Sequence, residues 1–196
     1  MSLWGATDSD ESKPKNLTTA EKKQVFANSS GWVLEAGSSL SGNDNTSATP
    51  EVLVAIGGLA TSIGAADVDD VEWITTAADK SAGFTLSVRV RYNEAVTVTG
   101  SPTLAVTNGN QGSGSGRGPH TLVYASGTGT NELVFSLAIA AANAATNADD
   151  VLSIGAQNIL KPSGATIKDT AGTASDSAVA ISGAKGTAAG TLTVVA

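Results

Sequence analysis

Large apolar and polar side chains alternate without a break from Phe84 to Tyr92. In an extended strand this sends Phe84, Leu86, Val88, Val90 and Tyr92 to one face and Thr85, Ser87, Arg89 and Arg91 to the other. Wound as a helix, the same segment would scatter those groups around its circumference. The two-residue period returns at Val96 and Val98, at Leu104 and Val106, and at Leu133, Phe135, Leu137 and Ile139. Further strands are expected at 71–74, 121–124, 151–154, 159–160, 165–167, 179–181 and 192–195. Gly100-Ser101-Pro102 and Gly127-Thr128-Gly129 supply turns between them. Short strands with this punctuation predict an all-β fold, an antiparallel sandwich rather than a parallel α/β sheet. A βαβ unit needs connecting helices, and the sole contender, Ala138 to Ala148, offers alanines without an anchoring face. A loop with one helical turn is expected there.

The front of the chain has a weaker pattern. Residues 1–17 are mostly polar, with too few apolar side chains for a core, and read as an extended arm that gains order by anchoring Leu3 and Trp4 on a neighbouring surface. Thr18-Thr19-Ala20-Glu21 has capping-box spacing, so a helix of about two turns is predicted from it, with Val25 and Phe26 as its docking side chains. Asn28-Ser29-Ser30-Gly31 ends that helix, and Trp32-Val33-Leu34 follows as a brief apolar contact or an edge strand. A Ser/Gly/Asn-rich connector over 37–50 leads to a strand at Glu51–Ile56, which Gly57-Gly58 terminates and Leu59–Ile63 continues after a bend. So few elements do not close a core alone, and residues 18–70 are expected to lean on the following domain or on another subunit. The chain thus divides into an arm (1–17), a small attachment region (18–70) and a β-sandwich domain (71–196).

Charge sharpens the division. Residues 1–79 hold 12 acids and 4 bases, net −8; residues 80–196 hold 6 acids and 7 bases, net +1. The overall charge of −7, with no cluster of Lys and Arg, argues against nucleic acid as the main ligand. The absence of cysteine removes disulfides, thiolate catalysis and thiolate metal ligation together. No apolar run is long enough for a membrane span, and the opening MSLWGATDSDESKPK lacks the basic start and apolar core of a secretory leader.

Candidate chemistry is sparse. Asp67, Asp69, Asp70 and Glu72 supply carboxylates of the kind calcium accepts, but without EF-hand spacing they read as a solvated acidic hinge. Asp169 with Asp176 offers a second calcium possibility at a sandwich end, where Asp and Gly also build ordinary turns. His120, the sole histidine, has no nearby sequence partner. Glu132 with Asp149 or Asp150 would need to flank a sugar cleft to act as a glycosidase pair, and aromatic residues for such a cleft are scarce. The glycine tract 109–118 lacks the Gly-Lys-Ser/Thr ending of a phosphate loop and is expected to protrude, with Arg117 its one basic anchor. Asn16, Asn28 and Asn45 begin glycosylation sequences that matter only in a secretory pathway. No catalytic, cofactor-binding or metal-ligating residue is assigned, and no enzyme is expected.

Two stretches carry a resemblance. Ser2-Leu3-Trp4-Gly5, Asp8 and Lys13-Pro14-Lys15, followed by Gly31-Trp32-Val33-Leu34 and Glu51-Val52-Leu53-Val54-Ala55-Ile56, resemble the opening of virion structural proteins of marine T4-like phages, especially cyanophages. Tyr92 to Leu104, Tyr124 to Phe135, Leu152 to Ala156 and Thr166 to Gly172 resemble the immunoglobulin-like repeats of long cyanobacterial surface proteins and related adhesins. Together these resemblances imply a non-enzymatic virion protein, a capsid decoration protein with an exposed immunoglobulin-like domain. Its partners would be the major capsid protein or other virion proteins, with assembly as a homo-oligomer, on the outer capsid surface after synthesis in the host cytoplasm. The attachment residues so implied are Leu3, Trp4, Val25, Phe26, Trp32 and Leu34. The competing implications are a neck, tail or fibre-associated protein binding host surface glycans, and a bacterial surface binding module.

Overall fold

The computed structural model describes residues 13–109, 118–171 and 176–196. The front of the chain forms α1 (Thr19–Lys22), β1 (Val25–Asn28), β2 (Gly31–Leu34), β3 (Glu51–Ala55) and α2 (Leu59–Ser62). Next come β4 (Val68–Trp73), β5 (Ala78–Asp79), β6 (Phe84–Thr99), β7 (Thr103–Asn108), β8 (His120–Ser126) and β9 (Thr130–Ile139). The last third holds β10 (Val151–Ser153), β11 (Gln157–Asn158), β12 (Thr166–Asp169), β13 (Ala180–Ile181), α3 (Gly183–Ala188) and β14 (Thr191–Val195). The described chain is therefore mostly β, and 140–150 is a turn-rich loop, as its featureless alanines predict.

The organising element is β6. One edge pairs with β9, antiparallel from Phe84↔Ile139 to Arg91↔Glu132. The other edge takes β4 along its first half and β12 along its last residues, and meets β1 in a parallel pairing at Ala27↔Glu94. The sheet path runs β3-β2-β1-β6-β9-β8-β7-β10-β14-β5. Although β7 follows β6 in the chain, it pairs with β8 and β10. Side chains from the middle of the path and from its β14 end bury together: Leu86, Val88, Val90, Tyr92, Leu133 and Phe135 share one core with Leu104, Leu152, Leu192 and Val194. That enclosure is consistent with an all-β sandwich.

Several local expectations are corrected. The capping box forms, with the Glu21 amide donating to the Thr18 hydroxyl and the Glu21 carboxylate accepting from the Thr18 amide, but the helix stops at Lys22. Val25 and Phe26 lie on β1, because strand-favouring residues facing Val33 and Leu34 gain more from pairing than from a lone helical turn. Asn28 to Gly31 thus forms a hairpin turn, with Asn28 Oδ1 accepting from the Ser30 amide (2.7 Å) and the Gly31 amide (3.2 Å). Trp32, Val33 and Leu34 form an internal strand, flanked by β1 and β3. Leu59 to Ser62 are helical because Gly58, at φ 74°, turns the chain so that Leu59 and Ala60 dock inward. The expected division at 70/71 cuts through β4, whose Val68 already belongs to the main core.

The two strands expected around residue 93 are a single one, β6, with a register shift between Arg91 and Val96. Alternation keeps its phase through the irregularity, so Glu94 occupies an inward position between Tyr92 and Val96. Arg91, expected to face solvent, is buried because the front of the chain covers that side of β6.

Candidate functional site

The attachment region meets the β domain along a seam built from charge on one side and apolar packing on the other. Glu35, one residue past β2, accepts from Arg91 Nε at 3.3 Å and from Asn131 Nδ2 at 2.7 Å. Arg91 also pairs with Glu72 (2.8 Å) and Glu132 (2.9 Å), and Arg89 pairs with the same two acids at 3.0 and 3.4 Å. Burial raises the Glu35 carboxyl above its ordinary range, opposed by the Arg91 charge. On the apolar side, Val25, Ala27, Trp32, Leu34, Leu59 and Ala60 make a second core, against which Leu17, Val54, Ile56, Ile63 and Ala171 pack.

This arrangement relocates the residues singled out for attachment. Val25, Phe26, Trp32 and Leu34 are buried inside the chain, Trp32 to 3% exposure, so their apolar area is already covered by their own molecule. Leu3 and Trp4 lie outside the described residues. What the region does expose is β3. Among the described residues it is the outermost strand of the path and pairs with β2 alone, and Val52 and Leu53 stand 47% and 37% exposed on it. An apolar strand with an open backbone edge is a template for strand addition.

The acidic stretch 67–72 is not a solvated hinge. From Val68 it runs along β4, where Asp69 pairs with Lys13 (2.5 Å), the buried Asp70 with Lys23 (2.9 Å) and Glu72 with both arginines. Beside it lies an open cavity of about 350 Å³ lined by Lys13, Lys22, Lys23, Lys185, Asp69 and Asp70. Lys185 donates to the Val68 carbonyl, and burial lowers the Lys13 ammonium below its ordinary range against the attraction of Asp69.

Other polar groups are sequestered in the core. His120 Nε2 and the Thr146 hydroxyl are 2.9 Å apart, and burial pulls the imidazole below its ordinary value against the nearby Asp150 charge. Asp150 accepts from Asn108 Nδ2 (2.6 Å) and the Asn147 amide (2.8 Å), while Glu132 is held by the arginines. The glycosidase pairing considered from sequence is therefore divided between two separate networks. The most unusual group is one that sequence reading passed over. Glu94 is 0% exposed, and the group within hydrogen-bonding reach of its carboxyl is another acid, Asp169. Burial, followed by the neighbouring Asp169 and Asp67 charges, pushes it up to about 8. Its even spacing from Tyr92 and Val96 was the available signal, overlooked because the two runs of alternation read as separate strands.

Among the described residues, no group of three or more His, Cys, Asp or Glu converges on a metal position, and no helix is long and apolar enough to cross a membrane. Residues 110–117 of the glycine tract lie outside the described residues. No protein-family model, curated protein or solved structure matches the chain.

Proposed function

We propose that this chain is a non-enzymatic structural protein of a phage virion, a capsid decoration protein that attaches through its N-terminal region and presents an immunoglobulin-like β-sandwich. The observation that carries the reading is β3, an exposed apolar edge strand on the region assigned to attachment. A capsid subunit supplying one further strand would satisfy that backbone edge and cover Val52 and Leu53. The seam supports the same reading mechanically. Glu35, Arg91 and the second core fix the attachment region to β6, so whatever β3 grips is rigidly coupled to the rest of the molecule. Leu3 and Trp4 would add a second point of contact.

High-resolution imaging of intact particles is expected to find many copies on the head lattice, with β3 against a capsid subunit; copies confined to the neck, tail or fibres overturn the decoration role. Val52→Lys and Leu53→Lys should lower particle occupancy while leaving the unfolding transition within about 0.5 kcal/mol of the parent, since both side chains are exposed. Trp4→Ala should also lower occupancy without unfolding the β domain.

A further inference from the structure

Four of the chain's eight lysines line one cavity, the open one beside β4. They come from three separate stretches: Lys13 ahead of α1, Lys22 and Lys23 at its end, and Lys185 on α3. The Lys13 side chain is 12% exposed and held from two sides, donating to the Lys22 carbonyl (2.7 Å) and to Asp69. Lys23 pairs with Asp70. Lys185 donates to the Val68 carbonyl, and among the described residues no carboxylate pairs with it or with Lys22. Glu21, the other charged acid of α1, is turned back onto Thr18 by the capping box. The cavity walls therefore carry two more positive charges than Asp69 and Asp70 neutralise.

That excess stands out in a chain whose net charge is −7. Gathered like charges repel unless something matches them. Burial lowers the Lys13 ammonium even with Asp69 attached, and Glu35 and Arg91, which also act on it, oppose one another. Charge farther away than about 8–10 Å is largely screened, so the local excess decides what the cavity attracts. We propose that this cavity binds a phosphate group, free or carried as the monoester of a small molecule. Such a group bears about 1.5–2 negative charges near pH 7, which matches the excess, whereas a single carboxylate would match half of it. Lys22 and Lys185 supply the unmatched charge, and Lys13 and Lys23, fixed by their aspartates, complete the wall. Lysine ammonium groups are compact donors with rotatable protons, suited to a tetrahedral oxyanion. At about 350 Å³ the cavity lies within the range of small-molecule sites, about 300–1,000 Å³, and Ala184 and Ala188 offer an apolar side to whatever carries the phosphate. A polyanion fits less well, because its further phosphates would meet the acid-rich front of the chain. The cavity shares no residue with β3, so the site does not depend on what the protein attaches to.

The test titrates the full chain by calorimetry with sodium phosphate and, separately, with glucose 6-phosphate, both at about pH 7.5 and constant ionic strength. One site per chain is expected, with a dissociation constant of about 1 mM or below. Tighter binding of the sugar ester identifies a carried phosphate, and equal or tighter binding of inorganic phosphate identifies the free ion. Lys22→Gln, which breaks no ion pair, should unfold at the parent's denaturant midpoint and bind about tenfold more weakly, as should Lys185→Gln. Lys161→Gln removes the same charge away from the cavity and should bind as the parent does. No binding of either compound up to about 10 mM overturns the site, and so does a loss in Lys22→Gln no greater than that in Lys161→Gln.

Discussion

Single residues carry the sharpest constraints. Gly31 closes the β1–β2 turn at φ 136°, and a Cβ there would stand 2.0 Å from the Val54 carbonyl oxygen. Gly31→Ala is therefore expected to destabilise the attachment region by at least about 1–3 kcal/mol, measured by denaturant unfolding followed at Trp32. His120 gives a pH dependence of known sign. Its folded value is lowered, so the unfolded chain binds the proton more readily. The stability it contributes is complete above about pH 6.5 and is lost as pH falls below that value. His120→Gln should flatten the difference between denaturant midpoints at about pH 7 and pH 5 relative to the parent. Residues of this kind were half legible in the sequence. His120 stood out by being alone, but its partner Thr146 lies across a loop that no local pattern specifies. Glu94 drew no reading, because it falls between two runs of alternation that the structure joins into one strand.

At the scale of elements, alternation did most of the work where both faces of a strand have different fates. The strands from β6 to β9 were readable because core-facing and outward residues differ in kind. The short elements were not. One turn of helix, a four-residue strand and a six-residue helix containing two glycines owe their conformation to what they pack against, so Val25 and Phe26 were placed on the wrong element and α3 was missed. The outward face of β6 was misread for the same reason: Arg91 is an ordinary surface residue until β2 and Glu35 are laid over it. Its guanidinium now serves Glu35, Glu72 and Glu132 together. Arg91→Ala leaves Glu35 without its cation and Glu72 and Glu132 with Arg89 alone, and should cost about 2–4 kcal/mol, with a smaller loss for Arg91→Lys, which keeps the charge without the fork. Chemical denaturation of the two variants against the parent distinguishes these outcomes.

The whole molecule is less modular than its charge distribution implies. The acid-rich front was set apart as a separate region, yet its acids on β4 find their bases on both sides of the proposed boundary: Lys13 and Lys23 before it, Arg89 and Arg91 after it. Complementary charge joins the two parts. Removing residues 1–65 is accordingly expected to expose the Arg91 side of β6 and yield a sandwich that unfolds at lower denaturant, checked by comparing midpoints with the full chain. The pairing of Ala27 with Glu94 carries a further consequence for the order of events during synthesis. The β1–β2 hairpin leaves the ribosome well before β6, the strand it must dock on, has been made. In that interval Val25 and Trp32 have no sandwich beneath them, and a nascent chain halted before residue 84 should be held by chaperones far longer than one released after residue 140.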